Sequence, residues 1–169
     1  MAILTDYFAA QPAEVEQLNL VVGPRGGTVP ASSQKKGLFG RRRTAEAEQR
    51  ARSFDTVQST GLEPTVTMAT LEEILTGNDS MQIIDEADLS PVVELDPRDG
   101  PWVFRLRAEV QAALASDSAS LDDVALRWSQ TEELEGSPVE DLRSFLSELT
   151  ALARRAQETK SQLFCWVSL

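Results

Sequence analysis

SPVEDLRSFLSELTALARRAQETKSQLFCWVSL, residues 137–169, is the stretch whose reading decides the fold. Leu142, Phe145, Leu146, Leu149, Leu152, Ala153 and Ala156 recur at three- and four-residue intervals, which places them on one stripe of an α-helix. Ser137 and Glu140 have the spacing of a capping box, with Pro138 at the first helical position. The spacing predicts one long amphipathic helix. QLFCWVSL follows, with Leu163, Cys165 and Val167 on one side of a strand and Phe164 and Trp166 on the other. A strand apolar on both faces needs cover on both, so it belongs in the middle of a sheet.

Upstream, PWVFRL alternates Trp102, Phe104 and Leu106 against Val103 and Arg105, a half-buried strand, and runs into the helical AEVQAALAS. SLDDVALRW predicts a short helix capped by Ser120. In TLEEILTG, Thr70 and Glu73 have capping-box spacing and Gly77 offers a left-handed stop. Phe54 to Val57 reads as a strand. MAILTDYF opens the chain as another, with Ile3, Leu4 and Tyr7 inward, before a helix that starts at Pro12 and ends near Leu20 to Val22. This order predicts a single α+β domain over residues 1–169, with helices covering one mixed or antiparallel sheet and the last strand at its centre.

The chain has 169 residues, a formal net charge of -11, one cysteine and no histidine. Without histidine it lacks the usual general base near neutral pH, the usual zinc ligand and any Ser-His or Cys-His pair. Carboxylate chemistry and magnesium binding stay open. Cys165 has no internal disulfide partner and sits in an apolar strand, which keeps its thiol protonated. No segment has the roughly 18 consecutive apolar residues of a membrane span, so the expected location is the cytoplasm.

Charge is unevenly spread. Residues 25–52 hold eight Lys or Arg against Glu46 and Glu48, a local balance of +6 that leaves -17 for the rest. At the centre of this basic loop, about residues 23–44, lies QKKGLFGRRR, in which Leu38 and Phe39 stand between Lys35, Lys36 and Arg41, Arg42, Arg43. Three readings compete: a solvated loop, a segment that docks on a protein, and a weak nucleic-acid grip. The body's charge repels phosphate beyond about 8 Å, which disfavours the last.

The succession MAILTDYFAAQPAEVEQL, TLEEILTG, PWVFRLRAEVQAAL, and then Trp128 followed by acids, a long helix and LFCWVSL resembles the YfbM-like family, small bacterial proteins without an assigned activity. The resemblance implies an α+β fold and supplies no mechanism; an immunity-type inhibitor that binds a partner toxin is a role it allows.

Among candidate sites, Trp128 with Glu132 and Glu133 could bind a cationic partner if the indole is exposed, or sit at the core edge with its N–H satisfied. Leu38, Phe39, Arg41, Arg42 and Arg43 are the second partner-binding group. Asp6, Tyr7 and Asp55 lie at strand ends where a cleft could form. The carboxylates of Asp85, Glu86 and Asp88, of Asp96 and Asp99, and of Asp122 and Asp123 lack calcium-loop spacing and read as solvated turns and caps. No catalytic set, metal site or cofactor is expected. The leading expectation is a non-enzymatic module that binds another protein, itself basic, through an acidic surface. The alternatives are a carboxylate-based or magnesium-dependent enzyme on a small molecule, and weak nucleic-acid binding by the basic loop.

Overall fold

The computed structural model describes residues 3–25, 54–116 and 118–169. Within them, five antiparallel strands form one sheet in the order β2-β1-β5-β4-β3. The strands are β1 (Leu4–Ala10), β2 (Thr56–Thr60), β3 (Val93–Glu94), β4 (Trp102–Arg105) and β5 (Gln162–Ser168). β5 is central, as its two-sided apolar pattern requires: it pairs with β1 from Leu4 opposite Ser168 to Ala10 opposite Gln162, and with β4 from Trp102 opposite Val167 to Arg105 opposite Phe164. The fold is α+β.

Alternation along the strands divides the interior into two layers. Tyr7, Val57, Leu163, Cys165 and Val167 face a helical layer built by α2 (Val66–Thr76), α4 (Ala108–Ala115), α5 (Leu121–Trp128) and α6 (Val139–Glu158). The predicted stripe of α6 is the buried one, from Leu142 to Ala156. Tyr7 and Trp128 both pack on Phe145, the former edge-on at 5.4 Å between ring centres. Phe8, Ala10, Val103, Phe164 and Trp166 face the other way, where cover is lighter: α1 (Pro12–Val15) and the turns that follow it contribute Val15 and Leu20.

Several local expectations are corrected. The helix from Pro12 is a single turn ending at Val15, because Leu18 and Leu20 leave the helical path to cover Phe164 and Trp166. Leu4 is largely exposed, whereas Tyr7 is fully buried. The second strand spans Thr56–Thr60, so Phe54 precedes it. α2 begins one turn before Thr70, and its cap comes from Glu63. The Glu63 carboxylate accepts from the backbone N–H groups of Thr65 and Thr67, both at 2.8 Å, and from both threonine hydroxyls. Glu73 instead accepts from the Ser80 N–H at 3.1 Å, which ties α2 to α3 (Ser80–Glu86), a helix with too few periodic residues to predict. Gly77 does end α2, with φ +82°. Pro138 and Ser120 occupy the positions before α6 and α5, but neither the Ser137–Glu140 box nor a Ser120 side-chain cap forms.

Candidate functional site: a groove on the lightly covered sheet face

β4 and β5 place Val103, Arg105, Phe164 and Trp166 on the face away from the helical layer. Part of this face is closed. Trp166 Nε1 donates to the Leu20 carbonyl at 2.9 Å, and Gly23, at φ +77°, lies so close that a Cβ there would stand 3.2 Å from the Trp166 ring. Phe54 covers Phe8 at 5.3 Å between ring centres, and its N–H donates to the Pro24 carbonyl at 2.8 Å, joining the two ends of the chain that flank residues 26–53.

A groove lies over the rest of this face, where Phe164 is buried to 1% exposure. It runs between α1 and residues 88–93 with a volume of about 330 Å³, walled by Pro12, Val15 and Glu16 on one side and by Asp88 and residues 90–93 on the other, with Phe164 and Arg105 as its floor. The Arg105 guanidinium lies 5.9 Å from the centre of the Phe164 ring, within cation–π range. Asp88 Oδ1 accepts from the Ser90 N–H at 3.1 Å, and this backbone hydrogen bond, with that of the Ser90 side chain, holds the Asp88 carboxyl below its ordinary value. Asp88 is therefore ionised at neutral pH and exposed at the rim. Chemically the groove offers walls of mixed polar and apolar character, the Arg105 cation, and the carboxylates of Glu16 and Asp88.

Behind it, a smaller cavity of about 30 Å³, lined by Met68, Glu72, Ile83 and Arg107 among others, shares Asp88 and Arg105. Glu72 is 1% exposed, and Arg107 Nε donates to its two carboxylate oxygens at 3.0 and 3.3 Å. Burial raises the Glu72 carboxyl above its ordinary value, an effect that the Arg107 charge only partly opposes. The pair fastens α2 to the start of α4.

The residues singled out from sequence fall elsewhere. Trp128 is 0% exposed, with Nε1 donating to the Thr67 carbonyl and the Thr70 hydroxyl, both at 3.3 Å. It is a core residue, which removes it from any surface patch with Glu132 and Glu133; those two stay exposed on a 3-10 turn whose Leu134 is buried. Asp6 and Tyr7, being adjacent on β1, point to opposite faces and form no cleft. Tyr7 donates to the Leu62 carbonyl at 2.7 Å inside the helical core, and burial drives its hydroxyl well above the usual range. Asp6, 2% exposed, accepts from Arg25 Nε at 2.7 Å on the lightly covered face. Asp55 pairs with Arg155 of α6 at 2.6 Å. Leu38, Phe39, Arg41, Arg42 and Arg43 lie outside the described residues. Cys165 is fully buried, and burial holds its thiol well above the usual value.

Asp96 accepts from the backbone N–H groups of Arg98 and Asp99, and Asp122 is paired with Arg143, so both act in local structure. Among the described residues no helix is long and apolar enough to cross a membrane. Sequence reading missed the groove because its lining comes from α1, from the turn after α3 and from three strands, segments that share no spacing. Comparison with protein-family models, with curated proteins and with solved structures gives no match.

Proposed function

We propose that this protein is a non-enzymatic binding module that recognises a basic protein partner through an acidic surface. One observation carries the reading. Residues 79–99 hold seven acids, all exposed, against the single Arg98, and among them Met81, Val92 and Leu95 are exposed apolar side chains. Charge alone keeps a protein soluble; charge interleaved with exposed apolar groups at a sheet edge is the composition of an interface. The described residues together carry nine Lys or Arg against twenty-four Asp or Glu, and at least five of those cations are already paired within the molecule. The negative field is thus available to steer a cationic partner. On the family resemblance, an immunity-type inhibitor is the form such a module would take.

A pull-down from native lysate tests the proposal. A stoichiometric partner with a basic surface, released as salt is raised from 50 to 500 mM, is the expected result; recovery of none at low salt refutes it. A second reading, an enzyme acting through carboxylates, is favoured by the convergence of Glu16 and Asp88 on one groove. Turnover of a small-molecule library that is lost in both Glu16→Gln and Asp88→Asn would replace the first reading with this one.

A further inference from the structure

We infer that the groove between α1 and residues 88–93 is where the partner makes its specific contact, and that it receives an extended segment in which an apolar side chain is flanked by lysine or arginine. This inference rests on the proposed binding role and adds to it a place and a ligand chemistry. The groove's 330 Å³ gives room for one or two side chains. Its accessible apolar surface comes from Pro12, Pro91, Val92 and Val93, with Val15 and the Phe164 ring buried beneath them, so an inserted side chain meets hydrocarbon on both walls.

The rim fixes the flanking chemistry. Glu16 on one wall and Asp88 on the other are exposed carboxylates, and the Asp88 wall continues into the acidic stretch with Asp85, Glu86 and Glu94. Cationic side chains on either side of an inserted apolar residue therefore meet acid on both sides. The floor fixes the backbone. Arg105 has no ion-pair partner among the described residues, and its guanidinium, held over Phe164, presents N–H donors suited to the carbonyls of an extended chain. An anionic partner would satisfy Arg105 alone and be repelled by the rest.

The test uses the full chain and two fluorescein-labelled decapeptides, one alternating lysine with leucine or phenylalanine, the other carrying the same lysines with glycine between them. Anisotropy at 50 mM salt should show the apolar peptide binding at least about tenfold more tightly than the glycine peptide. Glu16→Lys with Asp88→Lys should weaken that binding at least about tenfold, and the milder pair Glu16→Gln with Asp88→Asn should weaken it in the same direction. Glu135→Lys with Glu148→Lys, an equal charge change on the helical layer, should move it less than about threefold.

Equal losses from the two lysine pairs, with the parent still binding, would overturn the groove assignment and leave the acidic-surface reading standing. Equal affinity for the two peptides would do the same. Absence of binding by either peptide would remove both. Binding that emerges only after Lys35, Lys36, Leu38, Phe39 and Arg41 to Arg43 are replaced by serine would give the groove to the chain's own basic segment and overturn the assignment to a partner.

Discussion

Arg107→Ala is the perturbation whose outcome the structure specifies most closely. It leaves Glu72, 1% exposed and donated to by Arg107 Nε at 3.0 and 3.3 Å, as a buried carboxylate without its cation. Breaking a fully buried pair costs about 3–5 kcal/mol, chiefly through the charge left behind. Here the Arg107 side chain is 32% exposed, so water shares in the interaction and the expected loss at pH 7 falls to about 2–3 kcal/mol. With a urea m-value of about 2 kcal/mol per molar, the unfolding midpoint should drop by about 1–1.5 M.

The pH dependence follows from the direction of the shift. The Glu72 carboxyl is raised in the folded state, so the folded protein holds that proton more tightly than the unfolded chain does. Its stabilising contribution is complete below the unfolded value near 4.3 and is lost as pH rises through the folded value. Removing Arg107 takes away the charge that opposes this rise and widens the window. The penalty of Arg107→Ala should therefore shrink as urea titrations are repeated from pH 7 down to pH 4, and Glu72→Gln in the same chain should restore much of the loss at pH 7. A penalty that is flat across this range and untouched by Glu72→Gln would refute the reasoning, because it would show the arginine acting only by packing.

Glu63→Ala removes the acceptor of the first N–H groups of α2 and should cost about 1–2 kcal/mol in thermal unfolding, whereas Thr70→Ala, at the position the capping-box spacing suggested, should cost less. Trp128→Phe deletes an indole N–H shared between Thr67 and Thr70 and should cost about 1–3 kcal/mol, with peptide binding unchanged within about twofold; a large loss of binding in the folded variant would return Trp128 to the surface. Gly100→Ala sets a Cβ 2.5 Å from the Trp102 ring at φ +68° and should lower stability by about 1–3 kcal/mol, measured by urea denaturation.

The long helix and the central strand were legible because each repeats one signal over many residues: a 3.6-residue stripe in Leu142 to Ala156, and apolar side chains of both parities in Leu163 to Val167. Helix starts were less legible, since the local spacing of Thr70 and Glu73 competes with a carboxylate seven residues before Thr70 that reaches two backbone donors at once. Trp128 illustrates a different limit. The acids after it describe the next turn, while the indole is decided by α2 and by Phe145, both distant in sequence. Asp88 could be read only as a turn acid, because Glu16 and Arg105 meet it through tertiary structure and no periodicity links positions 16, 88 and 105. Arg107, likewise, is joined to Glu72 only by the packing of α2 on α4.

The central place of β5 also sets an order of events during synthesis. Among the described residues, β1 pairs with β2 and β3 with β4, these two ribbons share no ladder, and only β5 lies between them. A two-stranded ribbon is marginal in water. Pairing Leu4 with Ser168 closes a loop of more than 160 residues, the slow, non-local kind of contact. The nascent chain must therefore carry its helices and both ribbons without a sheet to rest on until residues 162–168 have cleared the ribosome. A chain that stalls between Arg105 and Gln162 has two ribbons and no strand to join them.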